Sequence, residues 1–263
     1  MSEDPMSGGP MSGGPMSGGP MSGGPMSGDR SRADSLRWTA EGSTVFFDAL
    51  AGLPDGRLDE PTALPGWSGR HLLAHVAANA AALANLVHWA RTGEERPMYS
   101  SPEQRDADIA AGAARPAAEL REWAARAADD LGARLAELGE RQWKAHVRTA
   151  QGRTVTAEEI PWMRAREVMV HAVDLGAGVT FDDLPADFLA ALIADIAAKR
   201  AAAPGPALTL TASGGGTWRI PGSGEPVPLT GTLAGLAAYL SGRGSGGVTG
   251  EAGGPPPELP RWL

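Results

Sequence analysis

Apolar side chains recur along most of this chain at the three- and four-residue spacing of helices. Between residues 34 and 53, Leu36, Val45, Phe46, Phe47 and Leu50 form a broken amphipathic pattern that stops near Gly52 and Pro54. A clearer helix follows. Ser68 is placed to cap it, Leu72, Val76, Leu83, Leu86 and Val87 repeat along one side, and Gly93 closes it. Residues 115–138 give a third, with Leu120, Trp123, Leu131 and Leu135 on one face, and residues 157–178 a fourth that ends at Gly176. Four helices with a long connection over residues 94–114 predict a four-helix bundle. The pattern then changes. Residues 184–203 read as another amphipathic helix, and residues 207–213 and 217–222 alternate as strands around a Gly-rich turn. Residues 225–231 offer a third strand, and residues 232–243 a closing helix. The fold class is therefore α plus α/β: a bundle over residues 31–178 and a small α/β domain over 179–263. The final Pro-rich stretch ends in Trp262 and Leu263 and reads as an extended arm that docks.

Composition removes several classes of function. The net charge of −8 argues against a general grip on nucleic acid or anionic membranes. No apolar run approaches the roughly 20 residues that span a bilayer, and no basic-then-apolar leader is present. These features suggest a cytoplasmic protein. Residues 1–30 hold four copies of MSGGP, too poor in apolar surface to fold, and are expected to be disordered. The absence of Cys rules out disulfides, and leaves His, Asp and Glu as metal ligands. It also means that any thiol chemistry must import its sulfur.

The stretch REVMVHAVDL places Glu167 and His171 four residues apart, on one face of an apolar helix. A third ligand must come from another helix. His75 sits among apolar neighbours in LLAHVA and is the inward candidate, whereas His71 lies near the helix start, where water reaches it. Two imidazoles and one carboxylate with a position left open is a catalytic zinc arrangement. The competing reading is that these are hydrogen-bonded core or surface residues. His88 and His146 take that plainer reading. Asp174, one turn beyond His171, reads as a surface carboxylate at the helix end; orienting the His171 ring is its alternative role.

Longer blocks then become recognisable. GWSGRHLLAHVAANAAALANLVHWARTGEERPMYSSPEQRDADI, TAQGRT, PWMRAREVMVHAVDLGA, GRGSGGVT and the PRWL ending together resemble the mycothiol-dependent maleylpyruvate isomerases, within the broader DinB-like superfamily. The resemblance covers nearly everything from residue 31 to Leu263. It implies a DinB-like four-helix bundle holding a divalent metal, usually zinc, with a smaller C-terminal domain closing part of the active site. By this resemblance the ligands are His75, Glu167 and His171. It also implies two arginines at the site, Arg105 from the SPEQR block and Arg243 from the GRGS block. Guanidinium groups suit a substrate with two carboxylates, because each binds a carboxylate through two parallel hydrogen bonds.

The implied reaction is conversion of maleylpyruvate to fumarylpyruvate, in gentisate breakdown, with mycothiol as cofactor. Addition of a metal-activated thiolate makes the cis double bond single, rotation follows, and the thiol leaves. Two rivals remain open: a mycothiol S-transferase that conjugates electrophiles, and a non-catalytic small-molecule binding protein. The expected state is a monomer.

Overall fold

The computed structural model describes residues 30–260 and residue 262; the MSGGP repeats lie outside the described residues. Helix α1 spans Arg32–Ala51. Its start is set by Ser31, whose hydroxyl accepts from the Asp34 backbone N–H at 3.0 Å while the Asp34 carboxylate accepts from the Ser31 N–H. Helix α2 is Gly69–Thr92 and ends at Gly93, whose φ of 80° is the left-handed conformation that glycine adopts at no steric cost. By length and composition α2 is apolar enough to cross a membrane, contrary to the expectation from the sequence. However, 78% of its most apolar window is buried inside the protein, as for a core helix.

The long connection after α2 holds a helix that the sequence pattern did not mark. It contains α3, Pro102–Ala113, opened by the Ser101 hydroxyl capping the Gln104 N–H, with Pro102 in the first turn. Helix α4, Ala117–Ala136, and the single turn α5, Glu140–Trp143, follow. A small hairpin then pairs β1, His146–Arg148, with β2, Thr154–Thr156. Helix α6, Glu159–Asp174, carries Pro161 in its first turn, where no backbone hydrogen bond is forfeited.

Helices α1, α2, α4 and α6 form the bundle, with α6 lying between α1 and α2 and α3 crossing the outside of α2. Two glycines permit the close approaches. A methyl group at Gly42 would stand 2.7 Å from Val168, so α1 and α6 meet nearly backbone to backbone. At Gly112 it would stand 2.7 Å from the Trp123 ring and 2.9 Å from Ala74, which seats α3 on α2 and α4. One core gathers Phe46, Leu72, Val76, Ile109, Leu120 and Val168, and a second gathers Leu83, Leu86, Leu131, Trp143 and Ile160.

The C-terminal part comprises α7, Ala186–Ala201, the strands β3, Pro206–Ala212, β4, Thr217–Ile220, and β5, Ser223–Gly231, then α8, Leu233–Leu240, and β6, Val248–Gly250. The sheet order is β4-β3-β5-β6, with β3 and β5 parallel and the outer pairs antiparallel. Its core is continuous with the bundle: Phe188, Leu192 and Leu236 pack in the same cluster as Trp38, Trp162 and Met169. The arm does dock. Tyr239 donates to the Pro257 carbonyl at 2.7 Å and Arg200 to the Pro260 carbonyl at 3.1 Å.

Candidate metal centre and its cavity

Because α2 and α6 are neighbours, their inward faces bring His75, Glu167 and His171 together. His75 Nε2 lies 2.9 Å from Glu167 Oε2, and His171 Nε2 lies 3.3 Å from the same oxygen. The two rings meet edge to face, with centroids 5.0 Å apart. One donor atom from each residue falls within 4.8 Å of the others. Burial opposes ionisation of Glu167, but the hydrogen bonds from His171 and His75 prevail and hold its carboxyl well below the usual range. Burial also drives the two imidazoles towards neutrality. His75 yields to it and is lowered, whereas the bonds to Asp174 and Glu167 outweigh it at His171, which is raised. Two ring nitrogens and an ionised oxygen converging on one point are a fitting donor set for a divalent ion.

Asp174 is not the surface carboxylate expected from its place at the helix end. It is 3% exposed, and its Oδ2 lies 2.8 Å from His171 Nδ1. This contact directs Nε2 of that ring towards Glu167 and fixes which nitrogen faces the centre. Arg243 holds the other side of the carboxylate, donating from Nη2 at 2.8 Å and Nε at 3.1 Å. The pairing could not be foreseen from local spacing, since the partners are 69 residues apart. Burial works against the Asp174 anion, but His171 and Arg243 more than compensate and lower its pKa.

Both arginines reach one cavity of about 620 Å³, which the three ligand candidates also line. Arg105 projects from α3, and its Nη2 stands 3.4 Å from His75 Nδ1. Arg243 follows α8 across a turn in which Gly242 has φ 76°. Asp174 occupies its Nε and Nη2, and the Ser241 carbonyl accepts from Nη1 at 2.7 Å. A guanidinium has five N–H groups, so one at each terminal nitrogen remains for a ligand. The walls also include Trp67, Asn79, Tyr99, Arg166 and Trp262, none of which the sequence singled out for the site. Trp67 packs on His75 with centroids 5.3 Å apart. Burial, and then the Glu167 charge, push the Tyr99 hydroxyl up to about 12, so it stays protonated.

The remaining histidines lie elsewhere. His71 Nδ1 meets the Ser68 hydroxyl at 2.9 Å within the cap of α2. His88 stands 3.5 Å from Glu94, and His146 is exposed on β1.

The fold and the cavity define a class: a helical bundle with a candidate metal centre, roofed in part by a small α/β domain. Its N-terminal half matches the family model described as the mycothiol maleylpyruvate isomerase N-terminal domain over residues 39–176, and residues 183–261 match the corresponding C-terminal domain model. The chain belongs to the mycothiol maleylpyruvate isomerase family. Among solved structures it is similar to a crystal structure of a mycothiol-dependent maleylpyruvate isomerase. The two are 41% identical, with a TM-score of 0.85 over 89% of this chain and 98% of the other. A histidine-to-alanine mutant of a mycothiol-dependent maleylpyruvate isomerase matches equally, at 41% identity and TM-score 0.85, again over 89% and 98% of the two chains. Among curated protein sequences none matches.

Proposed function

We propose that this chain catalyses the mycothiol-dependent cis–trans isomerisation of maleylpyruvate to fumarylpyruvate. The observation that carries the reading is the meeting, on one cavity, of the His75, Glu167 and His171 cluster with Arg105 and Arg243. A dicarboxylate needs two cationic anchors, and these come from opposite parts of the fold. Held by His75, Glu167 and His171, a divalent ion, zinc by the chemistry of the donors, would supply the Lewis acidity that favours a thiolate. Mycothiol would supply the sulfur nucleophile that a Cys-free chain lacks, the chemistry by which a double bond can be made temporarily rotatable.

The chain's own residues do the rest. Arg105 and Arg243 would each bind a carboxylate, fixing the two ends of the substrate about the bond that turns. Asp174 keeps Arg243 aimed, because it holds the side of the guanidinium while its terminal nitrogens retain free N–H groups. Tyr99 stays neutral at physiological pH and can only share its hydroxyl, not carry charge. Trp67, Val170 and Trp262 wall the cavity and limit water around developing negative charge. A cytoplasmic monomer acting on freely diffusing small molecules completes the proposal.

The test follows the isomerisation with and without mycothiol, before and after chelation. Fumarylpyruvate is expected only when thiol and metal are both present. A stable thioether in its place would identify an S-transferase. Binding of the diacid that needs neither metal nor thiol, without turnover, would identify a binding protein.

A further inference from the structure

Arg164 is a charge in an unfavourable place. It is 1% exposed, inside the bundle, yet among the described residues no carboxylate pairs with it. Nη1 donates to the Val76 carbonyl at 2.8 Å and to Asn79 Oδ1 at 3.0 Å, and Nη2 has no partner. Burial pulls its pKa down to about 10, which still leaves it charged at neutrality. The Glu167 charge offsets that burial only in part, and a buried cation with no carboxylate in direct contact is costly, so Arg164 calls for a role beyond packing.

The role is visible at Asn79. This residue follows His75 by four positions on α2, so it lies on the same face about 6 Å further along the axis. It is 5% exposed and lines the cavity. An amide has one acceptor end and one donor end. The guanidinium can face only the acceptor, so Arg164 removes the freedom to flip. The donor Nδ2 then faces away from Arg164. It has no acceptor among the described residues, and it is not among the polar atoms sealed without a partner in the core. Its open side is the cavity.

We propose that Asn79 is a substrate-binding residue, its Nδ2 donating to a carboxylate or carbonyl oxygen of the bound dicarboxylate, and that Arg164 is the positioning residue that aims it. The inference rests on the isomerase reading, which supplies the dicarboxylate. An N–H that can only donate matches an oxygen that can only accept, and it adds a neutral contact in the cavity that the charged anchors Arg105 and Arg243 also line. A purely structural Asn79 makes the opposite demand. If its task were only to satisfy Arg164, aspartate would serve better, since a carboxylate would pair with the buried guanidinium.

Asn79→Asp therefore separates the two roles. Melting temperature, metal content, KM and kcat for maleylpyruvate, and calorimetric binding of maleylpyruvate without thiol are measured for the variant and the wild type. The expected variant is at least as heat-stable, retains its metal, and shows KM and Kd raised about 10- to 100-fold, the loss typical of one hydrogen bond to a charged group. KM and Kd within twofold of wild type would overturn the proposal. Should aspartate unsettle the metal, Asn79→Ala with full metal content carries the same comparison, and unchanged constants there overturn it equally. A wild type that binds maleylpyruvate without isomerising it would defeat the functional reading alone, because Kd still compares the proteins. No binding by the wild type would defeat both.

Discussion

Asp174 joins the two halves of the candidate site, touching His171 with one oxygen and Arg243 with both. Its loss should therefore be felt at metal and substrate together. Asp174→Asn is expected to weaken metal affinity about 10- to 100-fold, the usual effect of removing the partner that orients a ligating imidazole. Titration against a competing chelator reads this, and affinity equal to wild type would contradict the assignment. Arg243→Ala is expected to act differently. The KM for maleylpyruvate should rise by at least tenfold while metal content, read by elemental analysis, stays at the wild-type level. Wild-type kinetics in that variant would remove Arg243 from the site. At this scale the candidate trio was open to the sequence: Glu167 and His171 through their i, i+4 spacing, His75 through its apolar setting, and all three together through the resemblance to the isomerases. The burial of Asp174 was not, because Arg243, which pairs with it, is distant in the chain; only its alternative role beside His171 could be read locally.

Elements were legible in proportion to their apolar stripe. The helices α2, α4 and α6 announce themselves through repeated Leu, Val and Trp. Helix α3 does not: of its 12 residues only Ile109, Gly112 and Ala113 are buried, so no stripe marks it. A cap and a tight seat on α2 hold it instead, and they matter because α3 carries Arg105. The hairpin of β1 and β2 has three residues per strand, too few for alternation to register. Close packing gives this scale its test. Gly42→Leu would drive a side chain into Val168 and Met169, where even a methyl group stands 2.7 Å from its neighbour. A loss of about 1–3 kcal/mol is expected, as for other overpacked cores. Urea denaturation measures it, and an unchanged midpoint would show that α1 and α6 lie further apart.

Across the whole molecule, α6 is the shared member. One side faces the candidate metal centre and the other enters the core of the C-terminal part, where Arg166 of α6 meets Asp195 of α7 at 2.9 Å and Lys199 adds a second cation at 3.0 Å. Burial opposes the Asp195 anion, but Arg166 and Lys199 prevail and lower its pKa. A carboxyl lowered in the folded state stabilises the fold above its unfolded pKa, roughly 3.9, and that contribution is lost as pH falls through the folded value. Asp195→Asn is thus expected to cost about 1–3 kcal/mol near pH 6 and to flatten the fall in stability below about pH 4. Denaturation across this pH range checks both, and parallel wild-type and variant curves would contradict the pairing. We propose the division of the chain at residues 178/179 as a change of architecture within a continuous core.

The central claim is that one divalent ion is held by His75, Glu167 and His171, and elemental analysis of purified wild type and His75→Ala tests it most directly. One equivalent of metal per chain is expected in the wild type and almost none in the variant. Full occupancy in His75→Ala would contradict the account.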